Sequence, residues 1–145
     1  IATSLGSKMP MYCTGVGKGI LAFMDEDYMS VYYRYQKLKK RTKNTFTNKK
    51  KLNLELASIR KSFISIDNEE FADHLYCVGT PVFDSNENPI AAISVSGLKD
   101  RMISKKNVIY DEVLESGKSI TKEIEGEYPR IINNTNRGVE NGIWW

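Results

Sequence analysis

Apolar side chains recur at helical spacing through the first part of the chain, and this pattern predicts helices after a short extended start. In the last of these helices, Leu52, Leu56 and Ile59 would share one face, and Asn48 would cap the N-terminal end. Acidic residues form the first turn of the preceding helix. Negative charge is favourable there because of the helix dipole. The predicted elements are an extended segment at residues 1–3 and helices at residues 15–23, at residues 28–39 and from residue 49 onward.

The period of the apolar positions then changes from that of a helix to that of an extended chain. This predicts a small antiparallel sheet followed by one long helix. Strands are expected at residues 63–67, 76–84 and 89–97, the last two joined by a polar hairpin turn at residues 85–88. The final helix, residues 104–125, would lie across the sheet, with Gly117 weakening it slightly. Its apolar stripe is predicted to be Ile109, Val113, Ser116, Ile120 and Ile124. Helices interleaved with an antiparallel hairpin favour an α+β fold.

The predicted hairpin can be placed in register. If Asp84 lies opposite Pro89, Cys77 pairs with Ser96 and Gly79 pairs with Ser94. These small residues would then share one sheet face, and apolar residues would occupy the other. Small side chains leave room above a sheet, and a thiol with two hydroxyls can bind a small polar ligand. Serines that simply face solvent would produce the same pattern. The apolar face would comprise Val78, Val82, Ile93 and Val95.

A glycine-rich segment, residues 15–19, leads into the first helix. Its backbone N–H groups could hold a carboxylate or phosphate. It is not a P-loop, because Tyr12 stands where that motif has glycine and no Ser or Thr follows Lys18. Glycines that merely allow a tight turn are the alternative, which the residues by themselves favour.

Ionisable residues between the strands offer three further interpretations. Asp67, Glu69 and Glu70 form an acidic cluster that could do acid–base chemistry if its carboxylates were buried close together. Charged loop residues are, however, usually solvated. Asp67 could instead face the same space as Cys77. His74 and Cys77 suggest a thiol–imidazole dyad, but a spacing of three along a strand places them on opposite faces. Because His74 is the only histidine, a histidine-rich metal site is excluded. We expect no catalytic residue, metal or cofactor.

Composition limits the class of protein. A chain of 145 residues with 41% hydrophobic residues suffices for one compact domain and excludes a multidomain enzyme. Its two cysteines are far apart, which favours a reducing, cytoplasmic compartment, and no apolar run could span a membrane. The excess of positive over negative charge lies at residues 37–41 and 49–51, where a solvated surface is favoured over direct DNA binding.

Six short motifs, taken in order, resemble the effector-binding domain of IclR-type transcriptional regulators. The resemblance extends from Ile1 to about Ile124. It implies a GAF-like α+β domain that binds a small metabolite and is attached to an N-terminal winged helix-turn-helix, which binds operator DNA as dimers or tetramers. The motifs are residues 6–11, 14–23, 56–60, 67–70, 77–84 and 91–97.

The resemblance also implies the limits of the domain. The family pattern has a helix and two strands before the position of Ile1, and the DNA-reading part is absent from this chain. We therefore expect residues 1–130 to form a partial effector-binding domain, truncated at its N-terminal side, and residues 131–145 to form a flexible or atypical tail.

The ligand contacts implied by the resemblance agree with the hairpin register. The carboxylate of the effector would meet backbone N–H groups of the glycine-rich segment and the two serine hydroxyls, and Asp67 and Cys77 would face other polar atoms of the ligand. The family usually has glycine where Phe63 and His74 stand, so His74 would narrow the pocket or add a donor. The implied contacts are Gly15, Val16, Asp67, Cys77, Ser94 and Ser96, with Ile1, Met9 and Leu75 as the apolar wall.

The leading hypothesis is therefore a ligand-sensing domain of a cytoplasmic, dimeric or tetrameric regulator without a membrane partner. A small organic acid, such as a keto acid or sugar acid, would alter operator binding by the winged helix-turn-helix. The alternatives are an assembly or dimerisation module without ligand, an enzyme with Cys77 as nucleophile, and direct DNA binding through the lysine runs.

Overall fold

The computed structural model describes residues 5–130. Residues 1–3, expected to be extended, and residues 131–145, expected to form a tail, lie outside this range. The helices are α1 (Gly15–Leu21), α2 (Glu26–Tyr35), α3 (Lys49–Ser62), α4 (Lys99–Ile103) and α5 (Lys106–Glu123), and a single 3-10 turn at Met11–Cys13 precedes α1. The strands are β1 (Ser65–Asn68), β2 (Leu75–Phe83) and β3 (Pro89–Leu98).

The strands form one antiparallel sheet in the order β1-β2-β3. The predicted register is confirmed for most of the hairpin, since Cys77 pairs with Ser96 and Gly79 with Ser94. It is wrong at the turn, where an irregularity between Val82 and Phe83 makes Phe83 the partner of Pro89. The Asp84 carboxylate instead accepts hydrogen bonds from turn amides at 2.9 Å.

The two faces of β2 are covered by different helices. Helix α1 packs on one face, and the backbone of Gly15 lies 3.3 Å from the position that a Cβ of Gly79 would occupy. Helix α5 packs on the other face, where Val113 joins Val78 and Tyr76 in a buried cluster. Strand β2 is therefore almost entirely buried, whereas β3 lies at the edge of the sheet and is largely exposed.

The buried stripe of α5 differs from the predicted one. Its buried residues are Val113, Gly117 and Thr121, whereas Ile120 and Ile124 are 39% and 46% exposed. Glycine is required where α5 crosses β2, because a Cβ on Gly117 would lie 2.4 Å from Thr80 Cγ2. Gly117 thus has a packing role beyond the predicted weakening of the helix.

The helix ends follow their caps. Asn48 caps α3 by accepting a hydrogen bond from the Lys51 amide at 3.2 Å, as predicted, and the stripe of α3 is buried. Asp25 caps α2, which ends at Tyr35 rather than near Lys39 because Gln36 has extended backbone angles. The short α4 was not predicted. A five-residue helix contains too few positions to show a helical period.

Candidate functional site

A line of polar side chains crosses the sheet from β1 at one edge, through the central β2, to β3 at the other edge. Asp67 in β1 lies opposite Cys77 in β2, which lies opposite Ser96 in β3. The Ser96 hydroxyl donates to Cys77 Sγ at 3.1 Å, and the thiol donates weakly to Asp67 Oδ2 at 3.9 Å. Asp67 is 1% exposed, whereas Ser96 is exposed on the surface. Polar groups thus connect the buried carboxylate of Asp67 with the exposed strand β3.

The Asp67 carboxylate is held in place by the loop after β1. Its Oδ1 accepts hydrogen bonds from the amides of Glu70 at 2.7 Å and Phe71 at 3.2 Å. Burial raises the pKa of Asp67, and these two amides and the charge of Lys18 oppose the increase. The side chain is a fixed acceptor, suited to hydroxyl or water donors of a small ligand.

The Cys77 thiol is not activated for catalysis. Burial raises its pKa to about 11, so the thiol is protonated near neutral pH. His74 precedes β2, is exposed and adopts a left-handed backbone with a φ of 63°. Neither the thiol nor this geometry supports a nucleophilic dyad.

The glycine-rich segment brings its backbone directly onto the sheet. A Cβ on Gly15 would lie 3.4 Å from Cys77 Cβ, and one on Gly17 would lie 2.3 Å from Met11 Cα. The Thr14 hydroxyl caps α1 by accepting from the Gly17 amide at 3.2 Å. The space expected above Gly79 is therefore filled by α1, whereas Ser94 and Ser96 of β3 are exposed.

Lys18 is an element of the site that the sequence pattern did not indicate. Its ammonium is completely buried, 2.6 Å from Glu70 Oε1, 3.1 Å from Glu55 Oε1 and 4.9 Å from the centre of the Phe46 ring. The expectation of a solvated acidic cluster is wrong for Glu70, whose pKa burial raises to about 7 against the opposing charge of Lys18. A lysine between glycines at the start of an apolar helix is the one signal that could have suggested burial.

Residues 41–45, here called the strap, hold the loop that carries Asp67 and Glu70. The Thr42 and Thr45 hydroxyls donate to the carbonyls of Glu69 and Glu70, the second at 2.7 Å. Further bonds run from Arg41 Nε to Phe71 O at 3.1 Å and from Asn44 Nδ2 to Asn68 O at 2.9 Å. Part of the basic run thus has a structural role.

Two shallow clefts meet at the end of β3. One, of about 380 Å³, is lined by Asp73, His74, Leu75, Ser96, Gly97 and Leu98. The other, of about 370 Å³, is lined by Ser96, Gly97, Leu98, Arg101, Met102, Ser104, Lys105 and Ile109. Of the predicted contacts, Ser96 and Leu75 line a cleft. The others that the structure describes line neither cleft, namely Met9, Gly15, Val16, Asp67, Cys77 and Ser94. Met9 is half-buried, and Ile1 lies outside the described residues.

Within residues 5–130, no group of His, Cys, Asp and Glu side chains could hold a metal ion. None of the helices there is long and apolar enough to cross a membrane.

Comparison with known proteins places the chain among transcriptional regulators. The family model described as "Bacterial transcriptional regulator IclR C-terminal" matches residues 1–122. The chain is 33% identical over 122 residues to the transcriptional repressor IclR of Escherichia coli K12, covering 84% of this chain and 42% of the repressor. It is 32% identical over 124 residues to the DNA-binding transcriptional repressor YiaJ of the same organism, covering 83% and 44%. The chain thus spans less than half the length of these relatives.

Solved structures agree. The IclR protein of Thermotoga maritima matches with a TM-score of 0.79 and 37% identity, over 86% of this chain and 51% of that one. The C-terminal domain of Escherichia coli KdgR matches with a TM-score of 0.74 and 27% identity, over 80% and 71%. The inducer-binding domain of Acinetobacter PobR, solved as a double mutant with 3-hydroxybenzoic acid, shares the fold with a TM-score of 0.72 and 23% identity, over 84% and 71%. These likenesses confirm the predicted GAF-like α+β fold.

Proposed function

Because the chain belongs to the IclR family of bacterial transcriptional regulators, we propose that it binds a small organic acid and thereby controls operator binding. The fold is the one found in the C-terminal, effector-binding domain of these proteins, and the relatives are regulators rather than enzymes. The acid, a keto acid or sugar acid, alters the affinity of an N-terminal winged helix-turn-helix for DNA. The regulator acts in the cytoplasm as a homodimer or homotetramer.

The polar line from Ser96 through Cys77 to Asp67 is the observation that carries this proposal. It leads from the exposed Ser96 of β3 through Cys77, whose Cβ lies 3.4 Å from the position that a Cβ of Gly15 would occupy, to a buried, fixed acceptor. First-turn amides of a helix have no partner within the helix, so those of Gly15 and Val16 suit a carboxylate. The site comprises Gly15, Val16, Asp67, Cys77, Ser94 and Ser96, with Ile1, Met9 and Leu75 as its apolar wall.

Each polar group has a separate task in this site. When the acid binds, the Ser96 hydroxyl turns its proton from Cys77 Sγ to the carboxylate of the acid, to which the Ser94 hydroxyl and the two amides of α1 also donate. Asp67 and Cys77 contact the remaining polar atoms of the acid, where a carboxylate acceptor favours hydroxyl groups over a second acid group. The complex of the PobR inducer-binding domain with 3-hydroxybenzoic acid supports an organic acid as the ligand class.

Isothermal titration calorimetry of the purified protein with pyruvate, gluconate and 3-hydroxybenzoate tests the proposal. We expect at least one acid to bind, and Ser94→Ala, Ser96→Ala and Asp67→Ala each to weaken binding by roughly tenfold or more, the effect of losing a hydrogen bond to a charged group. Ser85→Ala, in the exposed turn at the opposite end of the hairpin, is the matched control and should bind normally. Unchanged affinity in all three site variants would show that the acid binds elsewhere.

An assembly module without a ligand is the second candidate. It is favoured by the apolar side chains on the edge strand, since Ile90, Val95 and Leu98 are 56%, 47% and 62% exposed. Exposed apolar positions on an edge strand are typical of a surface that pairs with another chain. In that case the protein would associate with rising concentration in sedimentation experiments, and none of the acids would raise its melting temperature.

A further inference from the structure

A buried charge cluster shares helix α1 and the loop after β1 with the proposed site, and the ligand contacts above do not use it. It consists of Lys18, Glu55 and Glu70, with the ammonium of Lys18 between the two carboxylates. One oxygen of Glu70, Oε1, accepts from Lys18 at 2.6 Å, whereas Oε2 is buried and has no hydrogen-bond partner in the described part of the chain. A buried carboxylate oxygen without a donor disfavours the ionised form.

The charges that surround Glu70 act in opposite directions, and the attraction of Lys18 exceeds the repulsion from Asp67 and Glu55. Lys18 from α1 attracts the carboxylate, but Asp67 from β1 and Glu55 from α3 repel it. The thiols that face this region from the 3-10 turn and from β2, those of Cys13 and Cys77, have pKa values raised to about 11 and are uncharged near neutral pH. Arg41 of the strap lies farther out, exposed against the Phe71 ring at 4.1 Å. Burial, the largest cause, raises the pKa of Glu70 to about 7.

Glu70 is also joined directly to the proposed ligand contacts. Its amide donates to Asp67 Oδ1 at 2.7 Å, and its partner Lys18 lies one helical turn after Gly15. An organic acid held at the amides of Gly15 and Val16 would add a negative charge at the start of the helix that carries Lys18, the partner of Glu70. In a partly buried site such a charge acts over several ångströms, because solvent screens it little.

We propose that Glu70 takes up a proton from solvent when an organic acid binds, so that affinity for the acid rises as the pH falls through neutrality. This inference rests on the function proposed above. The Glu70 carboxylate gains one proton at Oε2 and becomes neutral, and Lys18 keeps its hydrogen bond to Oε1. Carboxylic acids are ionised between about pH 6 and pH 8, so the ligand itself contributes no proton over that range.

Calorimetry in buffers of different ionisation enthalpy measures this proton. At about pH 7, titration of the wild-type protein with pyruvate, gluconate or 3-hydroxybenzoate should show uptake of a few tenths of a proton per bound acid. Affinity should rise roughly threefold to tenfold between about pH 8 and pH 6. Glu70→Gln should still bind the acid but without proton uptake. The uncharged analogue pyruvamide should cause no uptake in either protein.

Two matched variants separate Glu70 from its neighbours. Glu55→Gln removes the half-buried carboxylate on the other side of Lys18 and should retain the uptake. Glu69→Gln removes the carboxylate next to Glu70 in the chain, which pairs with Lys99, and should also retain it. Should Glu70→Gln fail to fold, isotope-edited NMR of the glutamate carboxyl groups in the wild-type protein gives the same answer, because the Glu70 signal must move toward its protonated position when the acid binds.

The outcomes separate this inference from the proposed function. An acid that binds the wild-type protein without proton uptake overturns the role of Glu70 and leaves the ligand site intact. Uptake that persists in Glu70→Gln also overturns it. If none of the acids binds, the proposed function fails, and the proton linkage fails with it.

Discussion

Two bulky residues, Phe63 and His74, have left-handed backbone angles, with φ values of 57° and 63°. Side chains other than glycine rarely adopt this conformation, since Cβ approaches the carbonyl oxygen. The two side chains nevertheless differ in how they are packed. The Phe63 ring stacks on Phe23 with centroids 5.3 Å apart, whereas the His74 side chain is exposed. The strain at Phe63 is therefore offset by packing, and the strain at His74 is not.

His74→Gly should raise the free energy of unfolding by roughly 0.5 to 1 kcal/mol, because relief of the left-handed strain exceeds the entropic cost of glycine. The main-chain hydrogen bonds at this position, from the His74 amide to Glu69 Oε1 and from the Lys99 amide to His74 O, are available to glycine as well. Urea unfolding measures the change. Phe63→Gly is the contrasting variant, and it should lose about 3 kcal/mol because its ring is buried. A loss of stability in His74→Gly would contradict this account.

At the scale of elements, the crossing of α5 over β2 depends on one small residue. Gly117 lies where a Cβ would come within 2.4 Å of Thr80 Cγ2 and 2.8 Å of Tyr128 Oη. Thr80 Oγ1 donates to Phe63 O at 2.8 Å and Tyr128 Oη donates to Pro81 O at 2.9 Å, so neither neighbour is free to move. The helix and the sheet can approach this closely only because the side chain is absent.

Gly117→Ala should destabilise the protein by about 1 to 3 kcal/mol, although alanine is the better helix former. Overpacking against β2 outweighs the gain in helix propensity, which is about 1 kcal/mol. Thermal and urea unfolding measure the effect. Ser116→Ala, at the neighbouring exposed position of α5, is the control and should be neutral or slightly stabilising. Equal or greater stability of Gly117→Ala would show that α5 can shift away from the sheet.

The elements that the sequence predicted well were those with a local signal. The cap Asn48 and the buried stripe of α3 follow from spacing within a few residues, and the pairing of Cys77 with Ser96 follows from a short turn between two adjacent strands. The buried face of α5 and the burial of Lys18 could not be predicted, because both depend on contacts between distant segments. Alternation placed Cys77 and Ser96 on one face, but only the fold showed that α1 fills the space above Gly79.

At the scale of the whole molecule, one buried carboxyl makes stability depend on pH. The pKa of Glu70 rises from its ordinary value of 4.5 to about 7 on folding. Between these values the folded chain holds a proton that the unfolded chain has released, so stability decreases as the pH rises. The contribution of this group is greatest below about pH 4.5 and is lost by about pH 7.

The free energy of unfolding should therefore fall by about 3 kcal/mol from Glu70 alone as the pH is raised from about 4.5 to 8. Urea unfolding at several pH values checks this, and Glu70→Gln should flatten the profile by about that amount. Glu115→Gln removes an exposed carboxylate of α5 and should leave the profile unchanged. An identical pH dependence in the wild-type protein and Glu70→Gln would show that Glu70 has an ordinary pKa in the folded chain.

The strap holds its loop almost entirely through main-chain oxygen atoms, those of Asn68, Glu69, Glu70 and Phe71. Every amino acid supplies such an oxygen, so this anchoring does not depend on which side chains the loop carries. Evolution can consequently exchange loop residues one at a time while the same support persists. Related proteins with this arrangement can therefore differ in ligand specificity while the backbone of the loop keeps the same position.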